Sequence, residues 1–225
     1  MSVRTSFQAS LGYREWPAEK VVTSLKDIGY EGIEWGTAHF DPTKGLAGCR
    51  EVVDATRNAG LEVCRIFAHE DLVCLDDAER QRRIDHTVAV IELAGECDVS
   101  NVGAMSGPAP WNPAAPKIPA DISEGAAWDQ VLDAYRQFEV AGRKAGVKIS
   151  SEGVFGMVAN DFYSHKFLID TIDSEFVGMN YDPSHGVLSG NLDVAWNIRQ
   201  WGEHIVHCHL KDAVGISQVP GEFIF

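Results

Sequence analysis

The sequence predicts an α/β protein whose strand–helix units curl into a (β/α)8 TIM barrel. Short apolar runs of strand length alternate with amphipathic helices along all 225 residues, the pattern of a parallel sheet. Seven strands in strict alternation suit a closed barrel better than an open doubly wound sheet. No G-x-G-x-x-G follows the first strand, so a dinucleotide-binding sheet has little support. A full eight-unit barrel takes about 250 residues. The seventh strand is the last one readable, so strand 8 and its helix are expected to be missing. Residues 1–225 read as a single barrel domain, without a boundary or a shorter internal repeat.

The elements follow in order. RTSFQAS (4–10) is the first strand, and Pro17 suits the first turn of a helix. Val21, Val22, Leu25 and Ile28 give that helix an apolar stripe, and Gly29 fits the position past its end. EGIEW (31–35) is the second strand; Leu46, Val52, Val53 and Thr56 line the next helix, ended by Gly60. LEVCRIFAH (61–69) is the third strand, followed by a helix from Asp77 with Ile84, Val88 and Ile91 inside, ended by Gly95. VSNVGAM (99–105) leads into a loop with prolines at 108, 110, 113, 116 and 119, read as a surface excursion or a lid over a site. Trp111 in that loop is placed to stack on a sugar ring or to pack on the barrel rim. A helix from Ser123 to Gly146 carries Trp128, Val131, Leu132, Tyr135, Phe138 and Ala141 on one face. VKISSEG (147–153), a helix opened by Asp161, EFVGMNYD (175–182), a helix from Leu192 to Trp201, and HIVHCHL (204–210) complete the chain, whose last fifteen residues show no clear helix.

Composition excludes several classes. The chain is 45% hydrophobic and 23% charged, ordinary for a folded globular protein and far from low-complexity disorder. Its 19 basic against 33 acidic residues give a net charge of −14, which opposes a phosphate-neutralising surface, so no nucleic-acid partner is expected. No apolar run approaches the roughly 20 residues a bilayer needs, and the first residues lack the apolar stretch of a signal peptide. Five cysteines, odd in number and without CxxC spacing, suit a reduced, cytoplasmic protein. Cys208, between two histidines, reads as a small buried strand residue rather than a ligand.

In a parallel barrel the reactive groups come from the C-terminal ends of several strands. Glu152 ends strand five, Asp182 ends strand six with His185 just after it, and His209 ends strand seven. Side chains alternate faces along a strand. Ser150 and Glu152 therefore oppose Ile149 and Ser151; Asn180 and Asp182 oppose Met179 and Tyr181; His207 and His209 oppose Val206, Cys208 and Leu210. On strand two, Glu34 opposes Ile33 and Trp35. The apolar sets pack against helices and the polar sets point inward. Such a polar inward face makes sense around a metal and a hydroxylated ligand. Each residue alone has a plainer role: a strand-end carboxylate caps the next helix, and a strand histidine sits hydrogen-bonded in a core. Carboxylate and imidazole together suit one divalent cation, Mn²⁺, Zn²⁺, Co²⁺ or Mg²⁺. The absence of cysteine ligation argues against a closed structural zinc.

The runs SSEG, NYDPSH and HCHLKD, in this order, with EGIEWG before them, resemble the sugar phosphate isomerase/epimerase superfamily with its xylose-isomerase-like barrel. The resemblance covers nearly the whole chain. It implies a divalent metal held by Glu152, Asp182 and His209, with Glu152 also catalytic. His185 matches a histidine that contacts substrate or metal, and Glu34 and His69 match pocket residues. The family's fourth ligand is a glutamate on strand eight. GEFIF (221–225) resembles the segment before it, so Glu222 is not expected to be that ligand.

The resemblance implies metal-assisted proton transfer beside a carbonyl, interconverting keto and aldo sugars, phosphorylated or not, through an enediolate. A dehydratase acting on a sugar acid through the same metal site stands beside it. A metal-dependent apurinic-site endonuclease of the same fold is an alternative that needs more metals and a basic groove. A truncated barrel that binds sugar or metal without turnover is another. The fold also suggests a homo-oligomer, a dimer or tetramer.

Overall fold

The computed structural model describes residues 4–190 and 193–213. Seven parallel strands form one sheet in sequence order. They are β1 (Ser6–Gln8), β2 (Gly32–Gly36), β3 (Glu62–Phe67), β4 (Asn101–Met105), β5 (Lys148–Glu152), β6 (Val177–Tyr181) and β7 (Ile205–Cys208). Strands β2 and β7 lie five places apart, about 24 Å along a flat sheet. Yet His207 Nε2 reaches Glu34 Oε2 at 3.1 Å. The sheet is therefore curled, and these side chains meet across its interior. Among the described residues no eighth strand links β7 back to β1; residues 221–225, Glu222 included, lie outside them.

The helices are α1 (Ala9–Gly12), α2 (Ala18–Ile28), α3 (Gly45–Asn58), α4 (Asp77–Glu96), α5 (Glu124–Ala145), α6 (Phe162–Ile172), α7 (Pro183–Leu188) and α8 (Val194–Trp201). Their starts obey local capping chemistry. Asp76, Ser123, Asp161, Asp182 and Asp193 each accept a backbone N–H of the following first turn. Helix α2 ends where Gly29 turns left-handed at φ 102°. Ile66, Val102 and Ile149 on the outward face of the strands are buried with Val21, Val53 and Tyr135 of the helices in one continuous core between sheet and helices. Among the described residues no helix is long and apolar enough to cross a membrane.

Four local expectations are corrected. The first strand is only three residues long, because the chain turns into α1 at Ala9. Gly95 does not end its helix, which runs on to Glu96. A Cβ there would lie 2.7 Å from the Ala145 carbonyl oxygen, so Gly95 serves the close approach of α4 and α5. The six-residue α7, not among the expected helices, follows from the Asp182–Pro183 start signal. Cys208 is exposed rather than buried, and Leu210 beside it is 86% exposed. Among the described residues no helix follows β7 to cover that face.

One buried group has a consequence for stability. His165 on α6 is fully buried against the back of β5, where a Cβ on Gly153 would lie 2.9 Å from its Nδ1. Burial pushes its pKa down to about 4. The folded protein thus keeps this imidazole neutral, while the unfolded chain protonates it near 6.5. Its contribution is complete above pH 6.5 and is lost as pH falls toward 4, by up to ~3 kcal/mol. His165→Leu is expected to flatten the decline of urea-measured stability between pH 7 and 4.5. Parallel declines in variant and wild type would refute the assignment.

Candidate metal centre at the barrel mouth

Strands β5, β6 and β7 deliver their last inward side chains to one place. His209, one residue past β7, is held in register by its N–H to the Tyr181 carbonyl at 3.0 Å. Its Nδ1 stands 3.2 Å from Glu152 Oε1 and 3.9 Å from Asp182 Oδ2. The three residues expected to hold a metal are thus brought together. His185 joins them: its Nε2 lies 3.7 Å from Glu152 Oε1 and 3.6 Å from Asp182 Oδ2. Glu152, Asp182 and His185 each present a donor atom within 4.8 Å of the others.

Asp182 caps a helix with one oxygen and leaves the other to the mouth. Oδ1 caps α7, accepting from Ser184 N at 2.9 Å and Ser184 Oγ at 2.6 Å. Oδ2 is buried and accepts no well-formed hydrogen bond, although Lys211 Nζ lies 3.0 Å away. A buried carboxylate oxygen left with only an ionic neighbour, beside a second carboxylate and an imidazole, has the donor chemistry of a divalent-cation site. Glu152, Asp182 and His209 therefore fit the ion the sequence leads one to expect.

The protonation states follow from contacts. Burial alone would raise Glu152, but the hydrogen bond from His209 and the charge of Arg65 outweigh it and hold the carboxyl below its ordinary value. Burial would lower His209; its hydrogen bonds to Glu152 and Glu34 outweigh that and lift it to about 9. Without a metal this ring is an imidazolium between two carboxylates, so taking up a cation through Nδ1 displaces a proton. His185 is different. Its Nδ1 faces the Phe155 backbone N–H at 3.3 Å and its Nε2 faces Lys211 Nζ at 3.0 Å, both of them donors. Burial, with Lys211 close by, keeps the ring below its ordinary pKa, hence neutral at pH 7. Nε2 points to the mouth, within reach of a substrate hydroxyl, and Lys211 pairs with both Nε2 and Asp182 Oδ2 at 3.0 Å.

The other two expected pocket residues divide. His69 stands exposed just past β3, its ring edge-on to Phe67. Glu34 is buried, with its oxygens committed to Arg65, His207, His209 and Gln8. Burial would raise its pKa, but Arg65 and the two imidazoles hold it well below the carboxylate range. Glu34 acts on His209 from behind: with Nδ1 toward the mouth, Nε2–H donates to Glu34 Oε2 at 3.0 Å. The proline-rich loop is tied to the same end of the barrel. The Ala109 N–H donates to the Asp71 carboxylate, and Ala109 packs with Phe67, Met105, Val154 and Met157. Trp111 is 63% exposed rather than packed on the rim.

Three residues at or beneath the site had no role assigned from the sequence. Asn180 donates from Nδ2 to Glu152 Oε2 at 2.9 Å and fixes that carboxylate. Lys211 supplies positive charge at Asp182. Arg65 is wholly buried inside the barrel. An arginine in mid-strand and Gly103 in mid-strand on β4 were the available signals.

The strand ends of this parallel barrel thus gather Glu152, Asp182 and His209, the donor set of a candidate cation site. The chain belongs to the xylose isomerase-like TIM barrel family, whose model matches residues 22–220. A search of curated proteins finds no match. Among solved structures, 3-keto-D-glucoside 4-epimerase from E. coli is 14% identical with a TM-score of 0.74, covering 94% of this chain and 79% of that one. D-psicose 3-epimerase from Clostridium cellulolyticum H10 is 14% identical with a TM-score of 0.75, covering 92% and 72%. The IolI protein, solved with a bound zinc atom, is 16% identical with a TM-score of 0.69, covering 90% and 70%. At these identities the likeness speaks for the fold.

Proposed function

We propose that this chain is a metal-dependent sugar isomerase or epimerase that moves a proton beside a carbonyl. The carrying observation is the convergence of Glu152 Oε1, Asp182 Oδ2 and His209 Nδ1 at the mouth, with distances of 3.2 and 3.9 Å from the imidazole. These three atoms would hold one divalent ion. When bound, it supplies Lewis-acid stabilisation of an oxygen on which negative charge develops. The chain's own groups do the rest. His185 Nε2 holds a sugar hydroxyl. Glu152, ionised and steadied by Asn180, removes the proton from the neighbouring carbon and returns it. Epimerisation needs a second carboxylate on the opposite face, and the family resemblance assigns that role to a glutamate on strand eight. Exchange on one face needs Glu152 alone. The epimerase structures that share the fold support this substrate class. The endonuclease alternative finds less support, because the inner ligand set surrounds an arginine rather than offering room for further metals.

Solvent deuterium uptake by a panel of ketoses and aldoses tests the reading without requiring a finished product. With Mn²⁺ present, at least one sugar is expected to gain carbon-bound deuterium. EDTA treatment should abolish the exchange and added Mn²⁺ restore it. No uptake in any sugar with any of the four metals, or uptake indifferent to EDTA, would sink the proposal.

A further inference from the structure

Beneath the mouth lies a second set of metal-ligating groups. Glu34, His207 and His209 each offer a donor atom within 4.8 Å of the others. One carboxylate with two imidazoles is zinc- or cobalt-binding chemistry. Arg65 rises from β3 into this set. Its Nη1 lies 3.3 and 3.4 Å from the Glu34 oxygens and 3.2 Å from His209 Nε2. Its Nη2 donates to the Ser150 carbonyl at 3.3 Å and stands 3.8 Å from Glu152 Oε2. The guanidinium is permanently charged and completely buried. Gly103 makes room for it: a Cβ there would lie 2.0 Å from Nη2. A buried arginine and a mid-strand glycine, each odd in a barrel wall, account for each other.

We propose that the Arg65 guanidinium is the resident cation of the Glu34–His207–His209 cage. It supplies the charge that a divalent ion would otherwise bring there, and so confines metal to the mouth. The repulsion between a divalent ion and a guanidinium at these separations, in a site where Glu34 is buried and the two imidazoles are mostly so, excludes the ion from the inner cage. Arg65 also engages Glu34, the carboxylate that receives His209 Nε2–H, and so leaves Nδ1 as the free ligand atom. Arg65 is thus a positioning residue. The proposal rests on the mouth being a metal site, and its test separates the two ideas.

The probe is Co²⁺, read by equilibrium dialysis and by its visible absorption. In the wild type, Asp182→Asn is expected to weaken Co²⁺ binding by about tenfold or more, while His207→Gln leaves it within about threefold. In the Arg65→Met and Arg65→Gln backgrounds, a His207-dependent ion should appear. There His207→Gln removes bound Co²⁺ or weakens it by about tenfold, and the absorption spectrum differs from that of the wild type. Arg65→Gln keeps an N–H donor toward Glu34, so the outcome does not hang on one substitution. A variant that unfolds in EDTA but folds with saturating Co²⁺ supports the proposal, since the ion replaces the lost charge. Variants that stay unfolded at saturating Co²⁺, or that bind it with no dependence on His207, overturn it. If Asp182→Asn has no effect in the wild type, the mouth site fails, while the His207 comparison in the Arg65 variants still decides this inference.

Discussion

Glu152→Gln is expected to lower metal-dependent proton exchange by about 10³-fold or more while leaving the fold intact. A placed general base contributes about 10²–10⁴-fold, and in the proposed site Glu152 would hold the metal besides. The amide is isosteric, so an oxygen remains for the Asn180 hydrogen bond that now ends on Oε2. Arg65 keeps its closer partner, Glu34, at 3.3 Å, so no buried cation is stranded. His209 loses one of the two carboxylates that raise its pKa and keeps the other. The measurement is the deuterium exchange rate at saturating Mn²⁺, with circular dichroism and Tm as controls. Exchange within about tenfold of wild type would remove Glu152 from the role of base. Loss of exchange together with loss of secondary structure would show that the carboxylate is structural.

Glu152 was legible because three simple signals coincided: a strand pattern, a period of two, and a ligand type at the strand end. The same reading placed Asp182 and His209 correctly on the inward face. Ser151, assigned outward, indeed meets Tyr135 of α5 at 2.6 Å. Arg65 escaped because LEVCRIFAH looks like an ordinary apolar strand, and an arginine in it reads as a surface residue at an edge. Its inward direction depends on the irregular register between Ile33 and Glu34, which aligns Glu34 with Arg65, and that irregularity leaves no mark in the sequence. His207 was placed on the correct face but given no role, because its partner Glu34 lies 173 residues away. The outward face of β7 was misjudged for a physical reason: apolar alternation predicts a covering layer, and among the described residues none is there. Local chemistry is written in short windows, whereas partnership across a barrel interior is a product of closure.

Gly103→Ala is the substitution expected to cost most in stability, and it touches no residue of the mouth. The new methyl would meet Arg65 Nη2, Nε and Cζ at 2.0, 2.2 and 2.3 Å, so the guanidinium must leave its position. The guanidinium cannot yield cheaply, because the struck Nη2 donates to the Ser150 carbonyl and Nη1 of the same rigid plane holds Glu34. Displacing one member of a buried ion pair leaves an uncompensated charge, a loss of about 3–5 kcal/mol. For a domain of this size that lowers Tm by roughly 10 °C. If the cause is this contact alone, the penalty must largely vanish where the guanidinium is already gone. Gly103→Ala in an Arg65→Ala background is therefore expected to cost less than about 1 kcal/mol more than Arg65→Ala itself, a strong non-additivity between touching residues. Additive losses would mean that the glycine is needed for the β4 backbone and not for the arginine. A Tm unchanged in the single variant would mean that Arg65 has another place to go, and that the inner cage is less tightly held than its hydrogen bonds indicate.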